Sequence, residues 1–326
     1  MLVILTNSED ATASHLISIL KRAKIAFLRL DTDRCVSNVS ISYRLGEPLL
    51  QFEGTWYSPA EITDIWYRRP EQLKDLRFDD TPEGKFVRSE WTEFLECFFA
   101  HVPKQRWINH PSCNALASRK LEQLTAASNL GLLVPDTLGT QSCDDMRAFF
   151  EKHQGKIITK PLSNGYIERE PEKSDTLIYT NRVTEKHLEN LSDLKFCPTL
   201  FQQFIEKSCD VRITILDGDI HAKALFASDE SGSQRCDVRR NNMSDVTYED
   251  IQLPNQIRSK LRKLMSNYGL RFGAIDMAVS ISGDWYFFEI NPNGQWAWLD
   301  LTAGTDIASS FVNVFSQKLK GIALPA

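Results

Sequence analysis

No C-x-x-C pair occurs among the seven cysteines, at 35, 97, 113, 143, 197, 209 and 236. The odd count and the spacing fit reduced thiols in a cytoplasm better than a disulfide framework, and they argue against a zinc site. There is no basic excess: 38 Lys and Arg against 43 Asp and Glu leave a net charge of -5. A protein that binds nucleic acid in general carries a basic stripe, so no nucleic-acid partner is expected, and any anion site must be local. No apolar run approaches a membrane span, and Met1 to Asp10 lacks the basic region of a signal peptide. The expectation is a cytoplasmic protein with no membrane partner. G-x-x-x-x-G-K-S/T, G-x-G-x-x-G, G-x-S-x-G and H-E-x-x-H are all missing. Phosphate held by a P-loop or a dinucleotide fold is thereby disfavoured, as are a nucleophile elbow and a zincin site. No internal repeat, low-complexity tract or long linker divides the chain.

What is present is a folded-protein composition, 326 residues with 42% hydrophobic and 25% charged. Leu2 to Leu5, Asp10 to Lys24 and Ala26 to Leu30 alternate strand, helix and strand patterns, a β-α-β opening. Short strands follow to Ile65-Trp-Tyr-Arg-Arg-Pro70. Its paired Arg68 and Arg69 either stack on the neighbouring rings or contact a carboxylate of a substrate. Glu83 to His101 reads as an amphipathic helix with Phe86, Trp91, Phe94, Leu95, Phe98 and Phe99 inward. Trp107-Ile-Asn-His-Pro111 breaks the chain, and Ser112 is expected to cap a helix to about Leu130 with Lys120 in its middle. Lys160 ends an apolar strand and faces a loop with Ser163-Asn164-Gly165, where a phosphate could be cradled.

Two hairpins carry the chemical argument. Ser282-Gly283 is a turn between alternating apolar runs, and a two-residue loop there sets Asp276 opposite Glu289, with Asn291 on the same face. Facing carboxylates, roughly 5 Å apart at Cβ, ask for a cation, and oxygen donors without His or Cys suit Mg²⁺. The plainer reading is a solvated acidic pair. In the earlier hairpin Asp217-Gly218 is a type I′ signal, and it sets Arg212 opposite Lys223. Opposed cations ask for an anion. A nucleotide triphosphate with Mg²⁺ satisfies both faces, and Arg235 to Asn242 could close over it as a loop.

With those residues in place the chain resembles an ATP-grasp ligase. The resemblance implies an α/β (α+β) fold of three parts. These are an N-terminal β-α-β domain over 1-111, a central lid-bearing domain over 112-200 and a C-terminal antiparallel-sheet domain over 201-326. It implies ATP contacts from Lys120, Lys160, the hinge Gln203-Phe204-Ile205 and Asn291. Arg212, Lys223 and Arg239 would face the triphosphate as catalytic cations, and Asp276, Glu289 and Asn291 would hold Mg²⁺. More narrowly, Ile65-Trp-Tyr-Arg-Arg-Pro70 and Phe288-Glu-Ile-Asn-Pro-Asn-Gly-Gln-Trp296 resemble the microviridin-type graspetide synthetases, although Asp237-Val238-Arg239 stands where Asp-Trp-Arg is expected. What that implies is activation of Asp or Glu side chains of a ribosomal precursor peptide as acyl phosphates. Ester or amide cross-links then close within the peptide. Arg68, Arg69 and Asp237 would touch that substrate, a docking segment of the precursor would bind near Arg68-Arg69 or on the central domain, and the enzyme would be a homodimer. Addition of a free amino acid by a RimK-type ligase and a non-catalytic ATP-binding scaffold are the competing expectations.

Overall fold

The computed structural model describes residues 1–321 apart from 35–36, 74–79, 164, 168, 170–175 and 241–242. Cys35, Asn164 and the amides Asn241 and Asn242 of the expected cradle and covering loop lie outside the described residues. The N-terminal third opens with β1 (Leu2–Thr6), α1 (Ala11–Arg22) and β2 (Phe27–Asp31). β1 and β2 pair in parallel. Asp10 starts α1 because its carboxylate accepts from the N–H groups of Thr12 and Ala13. A small meander follows, β3 (Val39–Arg44), β4 (Glu47–Phe52) and β5 (Thr55–Tyr57), and then β6 (Asp64–Tyr67) returns beside β1. After α2 (Pro82–Ala100), β7 (Trp107–Ile108) completes a parallel sheet in the order β2-β1-β6-β7.

α2 buries Leu95, Phe98 and Phe99, but Phe86 is 63% and Phe94 46% exposed. The inward set is therefore narrower than the aromatic pattern suggested, because only the C-terminal half of the helix lies on the sheet core. The break after β7 is also arranged differently. His110, not Ser112, caps α3 (Pro111–Ala117) by accepting from the N–H of Ser112. Ser118 closes that helix, and α4 (Lys120–Asn129) begins afresh, so Lys120 stands on a first turn and not in mid-helix.

The central part comprises β8 (Thr137–Thr140), α5 (Cys143–Lys152), β9 (Ile157–Lys160), the short hairpin β10 (Tyr166–Ile167) and β11 (Thr176–Leu177), β12 (Asn181–Arg182), α6 (Glu185–Leu188) and β13 (Thr199–Gln203). Its sheet runs β12-β9-β13-β8. The last part has β14 (Lys207–Leu216), β15 (Asp219–Phe226), β16 (Thr247–Asp250), α7 (Asn255–Tyr268), β17 (Phe272–Ser280), β18 (Trp285–Asn291), α8 (Ala297–Thr302) and α9 (Ile307–Gly321). Its antiparallel order is β16-β15-β14-β17-β18.

Packing does not follow the three contiguous stretches. Ala117, Leu124, Ala127 and Leu132 join the core between the five-stranded sheet and α7. Trp296 and Phe311 join Leu2, Ile4, Leu16 and Trp66 under the N-terminal sheet. The central sheet keeps a core of its own, around Met146, Phe149, Ile157 and Phe201, and so does the α2 side of the N-terminal sheet, around Leu30, Ile65, Phe98 and Trp107. Among the described residues no helix is long and apolar enough to cross a membrane.

Candidate functional site

Both hairpins close as their facing pairs require, by different routes. Asp217 and Gly218 take positive φ of 47° and 87°, the left-handed pair of a type I′ turn. Arg212 duly lies opposite Lys223. In the later hairpin the loop has three residues, not two, since the Ser280 N–H donates to the Asp284 carbonyl around Ile281, Ser282 and Gly283. The register is then one residue off as far as Met277 opposite Phe287. A β-bulge restores it: Phe288 is the extra residue, and beyond it Asp276 does face Glu289. The bulge also turns Phe288 onto the same side, where the Lys160 and Lys207 amines sit 5.9 and 6.0 Å from its ring.

One row of charged residues thus crosses the five-stranded sheet: Asp250, Lys223, Arg212, Asp276 and Glu289. Arg212, Asp276 and Glu289 of that row line a cleft of about 610 Å³ between this sheet and the central one, together with Asn291. Lys120, Lys160, Gln203, Phe204, Ile205, Arg239, Asp237 and Arg69 also line it. Lys120 arrives from the first turn of α4 and Lys160 from the end of β9. Its Nζ stands 3.4 Å from Glu289 in the case of Lys120, and the Arg212 guanidinium stands 2.7 Å from Asp276. Burial depresses the pKa of Lys160, against the pull of Glu289. Burial also opposes ionisation of Glu289, yet Lys120 and Lys160 hold its carboxyl below the usual range. The carboxylate therefore stays charged in a half-buried site because cations surround it.

Three expected members are placed otherwise. Lys223 does not line the cleft: Asp250, its neighbour on β16, takes its ammonium at 2.7 Å and draws it toward a separate cavity at the sheet edge. Arg68 is 1% exposed and cannot be a surface contact, because Asp10 and the Asn293 carbonyl hold it inside. Asp237 has both carboxylate oxygens on the Arg239 guanidinium, at 2.9 and 2.7 Å, so it clamps Arg239 and is not open to a substrate. That clamp depresses the Asp237 pKa despite burial and raises that of Arg239.

The cleft also contains side chains that the motifs did not single out. Lys207 and Asp210 pair at 2.6 Å on its floor, and Gln234 donates to the other Asp210 oxygen at 2.9 Å. Burial nevertheless pushes the Asp210 pKa up. Alternation along β14 would have found Asp210, two residues from Arg212 and hence on the same face. Gln295 and Trp298 also line the cleft, and nothing in strand parity points to them, since they follow the sheet.

The donor chemistry suits Mg²⁺. Asp276, Glu289 and Asn291 offer oxygen only, and among the described residues no cluster of three or more His, Cys, Asp or Glu side chains could cage an ion by itself. Such a partial set leaves positions for water and phosphate oxygens.

Comparison with known proteins gives the site a context. No curated protein matches the chain. The Microcystis aeruginosa macrocyclase MdnC, solved bound with precursor peptide MdnA, is 27% identical with a TM-score of 0.83, covering 97% of this chain and 99% of that one. The Chryseobacterium gregarium RiPP-associated ATP-grasp ligase, solved in complex with ADP and a leader and core peptide, is 25% identical with a TM-score of 0.82, covering 97% and 96%. The Microcystis aeruginosa macrocyclase MdnB is 26% identical at a TM-score of 0.73, over 96% and 98%. The family model of the prokaryotic glutathione synthetase ATP-grasp domain matches residues 122–291, more than half of the chain and nearly every residue that lines the cleft. On that match, and with the α/β architecture of those structures, the protein belongs to the ATP-grasp family.

Proposed function

We propose that the protein is an ATP-dependent, ADP-forming ligase. It activates Asp or Glu side chains of a ribosomal precursor peptide and closes ester or amide cross-links within that peptide. The observation that carries this reading is the convergence of Lys120, Lys160, Arg212 and Arg239 with Asp276, Glu289 and Asn291 on one cleft. The likeness to two peptide macrocyclases and a RiPP-associated ligase over almost the whole chain supports the choice of substrate.

In this reading Gln203, Phe204 and Ile205 hold the adenine end, and Lys120 and Lys160 lie along the phosphates. Mg²⁺, held by Asp276, Glu289 and Asn291, would neutralise the phosphate charge. The substrate carboxylate oxygen attacks the γ-phosphorus, the bond to the β-bridging oxygen breaks, and ADP leaves. Arg212 and Arg239 stabilise the charge on the transferred group, and Asp237 keeps Arg239 aimed there. A hydroxyl or amine of the same peptide then attacks the acyl phosphate carbonyl carbon, the carbon–oxygen bond to phosphate breaks, and the proton of the nucleophile leaves with the phosphate. Arg69, exposed at the rim, is placed to meet acidic side chains of the peptide. Arg69 alone of the three substrate candidates retains that role.

We place the enzyme in the cytoplasm and assign it a homodimeric state. The exposed Phe86 and Phe94 of α2 supply an apolar surface for the partner copy. Co-expression with short acidic peptides encoded beside the gene, followed by intact mass, tests the reaction. Stepwise loss of one water per link is expected. A gain of an amino-acid residue would identify a free-amino-acid ligase instead.

A further inference from the structure

Arg68 follows β6 and is one of the largest fully buried side chains of the protein. Its Nη1 donates to the Asn293 carbonyl, and its Nε lies 3.4 Å from an Asp10 oxygen. The Nε and Nη2 N–H groups have no hydrogen-bond partner among the described residues. Burial pulls its pKa down to about 10, against the attraction of Asp10, so it is a cation at neutral pH. A buried cation with unmet donors is a poor way to hold a fold, since an apolar side chain of similar volume commonly does it as well or better. Its anchor is firm, because Asp10 also caps α1 and accepts from the Thr6 hydroxyl at 2.7 Å.

What Arg68 grips is the turn that follows the candidate metal ligands. In that turn the Asn293 N–H donates to the Asn291 side-chain oxygen at 3.0 Å. The Gln295 carbonyl accepts from Arg212 Nη2 at 2.9 Å, while Arg212 Nη1 reaches Asp276. The Asn109 amide donates to the Pro292 carbonyl at 3.0 Å. The turn has no slack on its other side: a Cβ at Gly294 would come within 2.3 Å of the Ala274 Cβ and 3.2 Å of Arg212 Nη2. A small movement of Asn293 would therefore be passed to Asn291 and to the Arg212 guanidinium.

We propose that Arg68 is a positioning residue: from the N-terminal sheet it sets the turn 292–295, and through the Gln295 carbonyl it orients Arg212 toward the phosphate end of the cleft. This rests on reading the cleft as an ATP site. The chemistry of the transferred phosphoryl group is thereby tied to a domain that, among the described residues, contributes only Arg69 to the cleft lining.

The test is a double-mutant cycle on the full chain, read by calorimetric binding of Mg²⁺ with ADP and of Mg²⁺ with a β,γ-imido ATP analogue. Arg68→Met is expected to weaken the analogue about tenfold and ADP by less than about twofold, because Arg212 acts beyond the β-phosphate. On an Arg212→Met background the same change should add less than about twofold, and Arg68→Lys should recover part of the loss. Losses that multiply in the double variant would overturn the proposal, as would equal weakening of both nucleotides. Should Arg68→Met fail to fold, Arg68→Lys alone carries the test: selective weakening of the analogue supports positioning, and unchanged binding of both nucleotides refutes it. Failure of the wild type to bind either nucleotide would overturn the ATP reading itself, an outcome distinct from all of these.

Discussion

At the scale of single residues, the same formal charge has different consequences according to its neighbour. Asp276→Asn and Glu289→Gln each remove a charged oxygen donor from the row that, in the proposed reading, faces the phosphates. ADP production with a cross-linkable peptide is expected to fall by about 10²-fold or more, with the circular dichroism spectrum unchanged. Lys223→Met is expected to leave that rate within about twofold. Its ammonium lies outside the cleft, and the Asp250 it abandons is 92% exposed in its side chain and returns to water. Lys160 yields a pH dependence. Because burial lowers its pKa in the free protein, its charge is fully present below that value and is lost as pH rises through it. Nucleotide affinity should therefore weaken on the alkaline side before an ordinary lysine, near about 10.4, would titrate. Lys160→Arg should remove that alkaline limb, as a series of dissociation constants against pH would show.

Among the elements, β18 and α2 are the instructive cases. Loop length and bulge in the β17–β18 hairpin are each one residue away from the simplest hairpin, and the two departures cancel at Asp276 and Glu289. The alternation of the sequence is consistent with either arrangement, since a three-residue loop with a bulge and a two-residue loop without one pair the same two acids. The cleft decides between them, because the bulge is what sets the Phe288 ring 5.9 Å from the Lys160 amine and 6.0 Å from that of Lys207. In α2 an aromatic residue does not by itself imply the core. Phe98→Ala is expected to cost about 3–5 kcal/mol in denaturant unfolding, as a fully buried ring does. Phe86→Ser and Phe94→Ser should each stay within about 0.5 kcal/mol for the monomer. If they line the proposed dimer surface, the same substitutions should shift the protein to monomer in size-exclusion chromatography.

For the molecule as a whole, Trp296 and Phe311 stack with ring centroids 5.1 Å apart and meet Trp66 of the N-terminal sheet. The two ends of the chain share one core, so they should unfold together. Thermal scans of the wild type are expected to show the N-terminal and five-stranded sheets melting in one transition. Phe311→Ala should lower that transition and not split it. The hairpins, the like-charged pairs and the helical and strand periods were legible in the sequence, because each is set by local turn chemistry and by side-chain alternation over a few residues. Among what was not legible is that Lys223 turns to Asp250, that Arg68 is interior, that Asp237 clamps Arg239, and that Trp298 and Gln295 complete the cleft. All but the clamp depend on which distant segment packs alongside, and neither strand parity nor turn type carries that information. The sequence alone determined which residues share a face; the tertiary structure decided which counter-charge each of them meets, because a charge in a half-buried site is placed by its nearest partner and not by its place in the chain.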